Sequence, residues 1–176
     1  MSISIYKPNS KNNGCAFSFS YGINKKNQDP CLFMKAIQQH SWNPESRTGN
    51  FSKNSSDPSK NLIIKFNEFE CGSILSSLSK RYEYNTFHTY EDNKTTIKFS
   101  PWDKSSKISS LNQSTKKFEE KSQIIPAFGI SITRNGSDVF KIPLEPGEVE
   151  VIKCFIKNII NRMIDHRISV QIKNLD

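Results

Sequence analysis

Lys65-Phe66-Asn67-Glu68-Phe69-Glu70 and Ile142-Pro143-Leu144-Glu145-Pro146 occupy equivalent places in the two halves of this chain. Each ends a run of strands and opens a helix. Asn67 followed three residues later by Glu70 is the pattern of a helix start in which side chain and backbone cap each other reciprocally. Phe69, Ile74, Leu75 and Leu78 then recur at helical spacing, which predicts a short helix ending near Lys80. In the second half Pro146 suits a first helical turn. Val149, Ile152, Phe155, Ile156, Ile159, Ile160, Met163 and Ile164 follow as a broad apolar face.

Working outward, period-2 alternation predicts strands at Ser2 to Tyr6, Cys15 to Tyr21, Leu32 to Gln38 and Leu62 to Phe66 before the first helix. Tyr84 to Tyr90, Thr95 to Phe99, Ala127 to Arg134 and Val139 to Ile142 precede the second. Asn135-Gly136 joins the last two strands and supplies the positive φ angles of a tight hairpin. Each half is therefore four strands and a helix. The fold class is α+β, a duplicated ββββα unit of about 1–80 and 84–166 with two antiparallel four-stranded sheets, read from pattern because residue identity between the halves is slight. Residues 41–61 and 101–123, rich in Ser, Asn and Lys, read as long polar loops, and 167–176 as a carboxy-terminal tail.

The composition narrows the function. Across 176 residues, 12 Phe, 5 Tyr and 2 Trp bring aromatics to 11%, more than a disordered chain carries. Lys and Arg number 25 against 17 Asp and Glu, a net charge of +8 that favours a polyanionic partner. Nothing in the sequence spans a bilayer or reads as a secretory signal. Cys15, Cys31, Cys71 and Cys154 lie in apolar-patterned stretches without a C-x-x-C pair and read as buried free thiols. They predict a reducing, cytoplasmic or nucleoid-associated location, with an organelle or an infected host cell also open. His40, His88 and His166 share no metal-ligand spacing, and the chain lacks a phosphate-cradling Gly loop and a nucleophile elbow. Neither catalysis, a cofactor nor a metal is expected.

Several segments together resemble the Whirly family of single-stranded-DNA-binding proteins. They are Tyr6-Lys7 through Lys11 with Ala16 to Ser18, then Trp42, Ile64, Phe66, Glu68, Ile74 and Leu78. Phe87-His88 and Val139-Phe140-Lys141-Ile142-Pro143-Leu144 complete the set. The family shares its fold with trypanosome guide-RNA-binding proteins and the positive-cofactor coactivators. The resemblance implies two sheets packed crosswise, helices joining protomers into a homo-oligomer (a dimer or tetramer), and bases stacking on aromatic residues at sheet surfaces and edges.

Gripping a single strand needs cations for phosphates and aromatic faces for unpaired bases. The sequence interleaves both. Candidate nucleic-acid contacts are Lys11, Phe17, Phe19, Tyr21, Lys35, Trp42, Lys65, Tyr84, His88, Tyr90, Lys94, Lys98 and Trp102. Trp42 and Trp102 adjoin polar loops, where a lid over the core is the other reading. Phe66, Phe99, Phe140 and Phe155 share faces with Leu or Ile and read as core. Phe155, Ile156, Ile159, Ile160 and Met163 are candidates for an oligomer interface. A non-catalytic binder of single-stranded DNA is expected, with an RNA-binding or annealing factor, or a transcription cofactor that docks protein partners, as alternatives.

Overall fold

A computed structural model describes residues 2–26 and 28–173, with the side chain of Lys173 left aside. Four strands come first: β1 (Ser2–Lys7), β2 (Cys15–Ile23), β3 (Pro30–Gln38) and, after an excursion, β6 (Asn61–Phe66). They pair antiparallel in the order β1-β2-β3-β6. The excursion holds a small hairpin, β4 (Ser41–Asn43) with β5 (Thr48–Asn50), and a 3₁₀ turn at Ser52–Ser55. Helix α1 (Glu68–Lys80) closes the first half. The second half runs β7 (Tyr84–Tyr90), β8 (Asn93–Leu111), β9 (Phe118–Arg134), β10 (Asp138–Leu144) and α2 (Pro146–Lys173), its sheet ordered β10-β9-β8-β7. The duplicated ββββα plan and the α+β class hold.

The capping chemistry is duplicated too. Asn67 Oδ1 accepts from the Glu70 backbone N–H at 2.9 Å while Glu70 Oε2 accepts from the Asn67 N–H at 3.0 Å. At α2, Glu148 Oε2 accepts from the Glu145 N–H at 2.7 Å, the same device three residues into the helix. Asn135 and Gly136 take φ of 52° and 75°, the two left-handed residues that a tight hairpin turn demands.

One face of each sheet builds a shared core. Phe17, Phe19, Leu32, Met34, Ile64 and Phe66 come from the first sheet, and Ile97, Phe99, Phe128, Ile130, Ile132 and Phe140 from the second. The helices add Ile74, Leu78, Ile152, Phe155, Ile156, Ile159 and Met163. Each fully buried apolar side chain of this size contributes about 1.5–3 kcal/mol. The core assignments of Phe66, Phe99, Phe140 and Phe155 hold.

The polar stretch 101–123 is mostly strand, not loop. It forms the distal parts of β8 and β9, a two-stranded ribbon in register from Trp102↔Ala127 to Leu111↔Phe118. Both faces of the ribbon meet water, so the apolar alternation that marks a strand is absent. Residues 167–173 are likewise the end of α2, anchored by Arg167 Nε at 2.8 Å from Glu68 Oε1, and 174–176 lie outside the described residues. Cys15, Cys31 and Cys71 are buried, and burial, helped by Glu70 and Glu68, pushes the Cys71 thiol up to about 12. Cys154 is exposed on α2, contrary to expectation. No helix among the described residues is long and apolar enough to cross a membrane.

Candidate nucleic-acid interface

Because neighbours in a strand point to opposite faces, the core residues leave a second face on each sheet. The register lays it out in rows. On the first sheet these are Ser2–Ser20–Phe33–Lys65, Ser4–Ser18–Lys35–Ile63 and Tyr6–Ala16–Ile37–Asn61. On the second they are Phe87–Thr96–Thr133–Val139 and Asn85–Lys98–Ser131–Lys141. Both outer faces therefore have a floor of short Ser and Thr side chains with lysines and aromatic rings rising from it.

Two of the rings are seated on glycines. Phe33 lies over Gly22, where an added Cβ would meet the ring at 2.7 Å. Trp102 lies beside Gly129 and donates its indole N–H to the Phe128 carbonyl at 2.8 Å, which fixes the ring on the face. Tyr6 and Phe87 stand free, 60% and 76% exposed, with Tyr6 edge-on to Phe51 at 5.8 Å. A further hollow of about 570 Å³ lies where β10 meets the β1–β2 turn. It is lined by Lys7, Asn9, Asn13 and Lys141, and Lys11 is carried by the same turn.

The cations differ in availability. Lys11, Lys35, Lys94 and Lys141 form no ion pair among the described residues, and Lys65 donates to the Asn24 amide oxygen at 3.3 Å. Lys98 is engaged, its Nζ 2.6 Å from Glu83 Oε2. Hydrogen bonds from Lys98 and Asn85 hold the Glu83 carboxyl below its ordinary range.

Several candidates point elsewhere. Phe17 and Phe19 are 0% and 1% exposed and offer no ring to a base; the serines between them, not the phenyls, face outward. Tyr21 packs against the core with the Arg162 guanidinium 5.8 Å over its ring. Tyr84 lies on the inner side against Phe99, ring centroids 6.3 Å apart. His88 also turns inward, 2.7 Å from Glu70 Oε1 and edge-on to Phe66 at 5.5 Å. Trp42 is half-buried in β4 opposite Gly49, away from both outer faces' rows, and Tyr90 is 73% exposed at the end of β7. Of the helix residues assigned to an oligomer interface, Phe155, Ile156, Ile159 and Met163 are buried in this chain's own core and Ile160 packs against it, so a second copy cannot reach them.

Sequence reading missed Tyr6, Phe33, Phe87 and Lys141. The signal for Phe87 was present: it alternates with the inward Thr86 and His88, so the period that buries those two exposes Phe87.

Comparison with solved structures fits this layout. A crystal structure of WHY1 from Arabidopsis thaliana matches 99% of this chain and 92% of its own, with a TM-score of 0.57 at 16% identity. The fold is Whirly-like. The structure of the plant transcriptional regulator PBF-2 matches 97% of this chain and 86% of its own, with a TM-score of 0.54 at 12% identity. No protein-family model matches the chain, and no curated protein matches it. The Whirly-like likeness is thus one of architecture, carried over nearly the full length of both chains.

Proposed function

We propose that this chain is a non-catalytic binder of single-stranded DNA that holds the strand on the outer faces of its two sheets. The observation that carries the reading is the pairing of unpaired lysines with exposed rings over a short-side-chain floor, repeated on both sheets of a Whirly-like scaffold. Bases stack on Phe87, Tyr6, Phe33 and Trp102, while Lys35, Lys65 and Lys141 neutralise phosphates. Contacts of this kind carry little sequence information, so preference among sequences is weak. One matched structure is that of a plant transcriptional regulator, which supports transcription among the processes served.

Fluorescence titration of oligo-dT at several salt concentrations tests the reading. Affinity falls steeply with salt, and replacing Lys35 and Lys141 together by Ala flattens the log–log slope by about 0.7 per charge removed. Matched RNA competes more weakly than DNA. A slope that those two substitutions leave unchanged, or equal affinity for duplex DNA, would overturn it.

A further inference from the structure

The two sheets have four outer edges, and three are blunted. On β10, Pro143 removes an N–H and Gln38 Nε2 donates to the Val139 carbonyl at 3.1 Å. On β6, Lys65 is exposed, and Arg134 donates to the carbonyls of Pro58, Ser59 and Asn61 at 2.8, 2.9 and 3.3 Å where the chain enters the strand. On β7 the ionisable His88 turns inward. Strand β1, Ser2-Ile3-Ser4-Ile5-Tyr6-Lys7, has none of these devices. It carries no proline, it pairs with β2 over its whole length, and its one charge, Lys7, is tied to Glu148 at 2.7 Å. A regular strand edge of this kind is a template for another strand.

The edge also borders an apolar trough. Two hollows of about 370 and 350 Å³ lie between β1 and the first turns of α2, and they share Ile3 and Val151. The first is completed by Ile5 and Tyr6, the second by Cys154 and Phe155. Val151 is 56% exposed, although it lies on the helix side that faces the sheet edge.

We propose that β1 pairs antiparallel with β1 of a second copy of this chain about a two-fold axis through Ser4. The strand's own pattern selects that occupant. A two-fold axis perpendicular to the sheet keeps each side chain on its face, so the opposed residue numbers must have an even sum. Centring on Ser4 sets Ile3 against Ile5 of the second copy on the trough side and Ser2 against Tyr6 of the second copy on the outer side. Every apolar residue of the edge thus meets an apolar residue. Centring on Ile5 would set Lys7 against Ile3. An isologous contact also consumes both bare edges at once and closes the assembly. It brings the two copies of Val151 and Cys154 together on the helix side. Resting on the nucleic-acid reading above, the result is an eight-stranded outer face on which the rings and lysines of both first sheets serve one strand, with the gain in avidity that linked sites give.

The test of pairing needs no nucleic acid. In a Cys154→Ser background, which removes the exposed native thiol, Ser4→Cys forms an intermolecular disulfide under mild oxidation and runs as a dimer on a non-reducing denaturing gel. Directly opposed strand residues lie close enough for that bond. Ser2→Cys, which faces Tyr6 of the second copy, does not. Light scattering of the DNA-free protein gives a mass of at least twice 20.2 kDa, and Val151→Glu on the exposed helix surface lowers it by half or more while circular dichroism is unchanged. A monomer in light scattering, a mass unmoved by Val151→Glu, or equal crosslinking at positions 2 and 4 would each overturn the pairing. A monomer that still binds oligo-dT would overturn it and leave the nucleic-acid reading standing.

Discussion

Phe17 and Phe87 are the same residue type in strands of the same kind, and the difference in exposure, 0% against 76%, separates their roles. Phe17→Ala opens a cavity in the core and lowers stability by about 3–5 kcal/mol. Phe87→Ala leaves urea denaturation nearly unchanged and weakens oligo-dT binding by about 1–3 kcal/mol, the loss of one stacked base. Comparable losses of stability for the two variants would refute the assignment of Phe87 to the outer face. Glu70 makes a second residue-scale case. Burial pushes its carboxyl up, but hydrogen bonds from His88 and the Asn67 N–H, with the charge of His88, hold it below the ordinary value. A carboxylate depressed in the folded state stabilises the fold above its unfolded value of about 4.3, and that contribution is lost as pH falls through the folded value. Glu70→Gln is therefore expected to cost about 1 kcal/mol at neutral pH and nothing at pH ~3, by chemical denaturation at both. An equal cost at both would show that the charge is not involved.

Among the elements, helix starts and core strands were legible because their signals are local or periodic. Asn67 with Glu70 marks α1, Asn135-Gly136 marks the β9–β10 turn, and alternation marks β2 and β3. The β8–β9 ribbon was not legible. Its order comes from cross-strand pairing over Trp102–Leu111 and Ala127–Phe118, and no buried face imposes a pattern on residues wetted from both sides. The candidate site was half legible for a related reason. Alternation says that two faces differ, but only the packing of the second sheet and helices says which one is inside. Phe17, Phe19 and Tyr21 were therefore placed on the wrong side of a correctly drawn strand. The ribbon also carries a prediction. Ile108, Leu111, Phe118 and Ile124 are 43–77% exposed and add little to the core. Replacing Lys104 to Ile125 with Asn-Gly removes two exposed ion pairs of small worth, Lys104–Glu145 and Lys107–Glu120, and shifts the melting midpoint by no more than about 3 °C. Loss of cooperative unfolding would mean that the ribbon is part of the core's support.

At the scale of the molecule, the net charge of +8 is unevenly committed. Lys7, Lys98, Lys104, Lys107, Lys153, Arg81, Arg134 and Arg167 each face a carboxylate, while Lys35 and Lys141 stand uncommitted, one on each outer face. Duplication thus left both halves with a face of the same chemistry. The seats beneath their rings are unequal, however. A methyl at Gly129 would find ordinary contact at 3.8 Å, with Trp102 Cδ1 and the Ser100 carbonyl oxygen, whereas one at Gly22 would drive into the Phe33 ring. Mutational drift can therefore remodel the pedestal of the second ring freely, but the pedestal of the first has a single admissible occupant for as long as that phenyl keeps its pose.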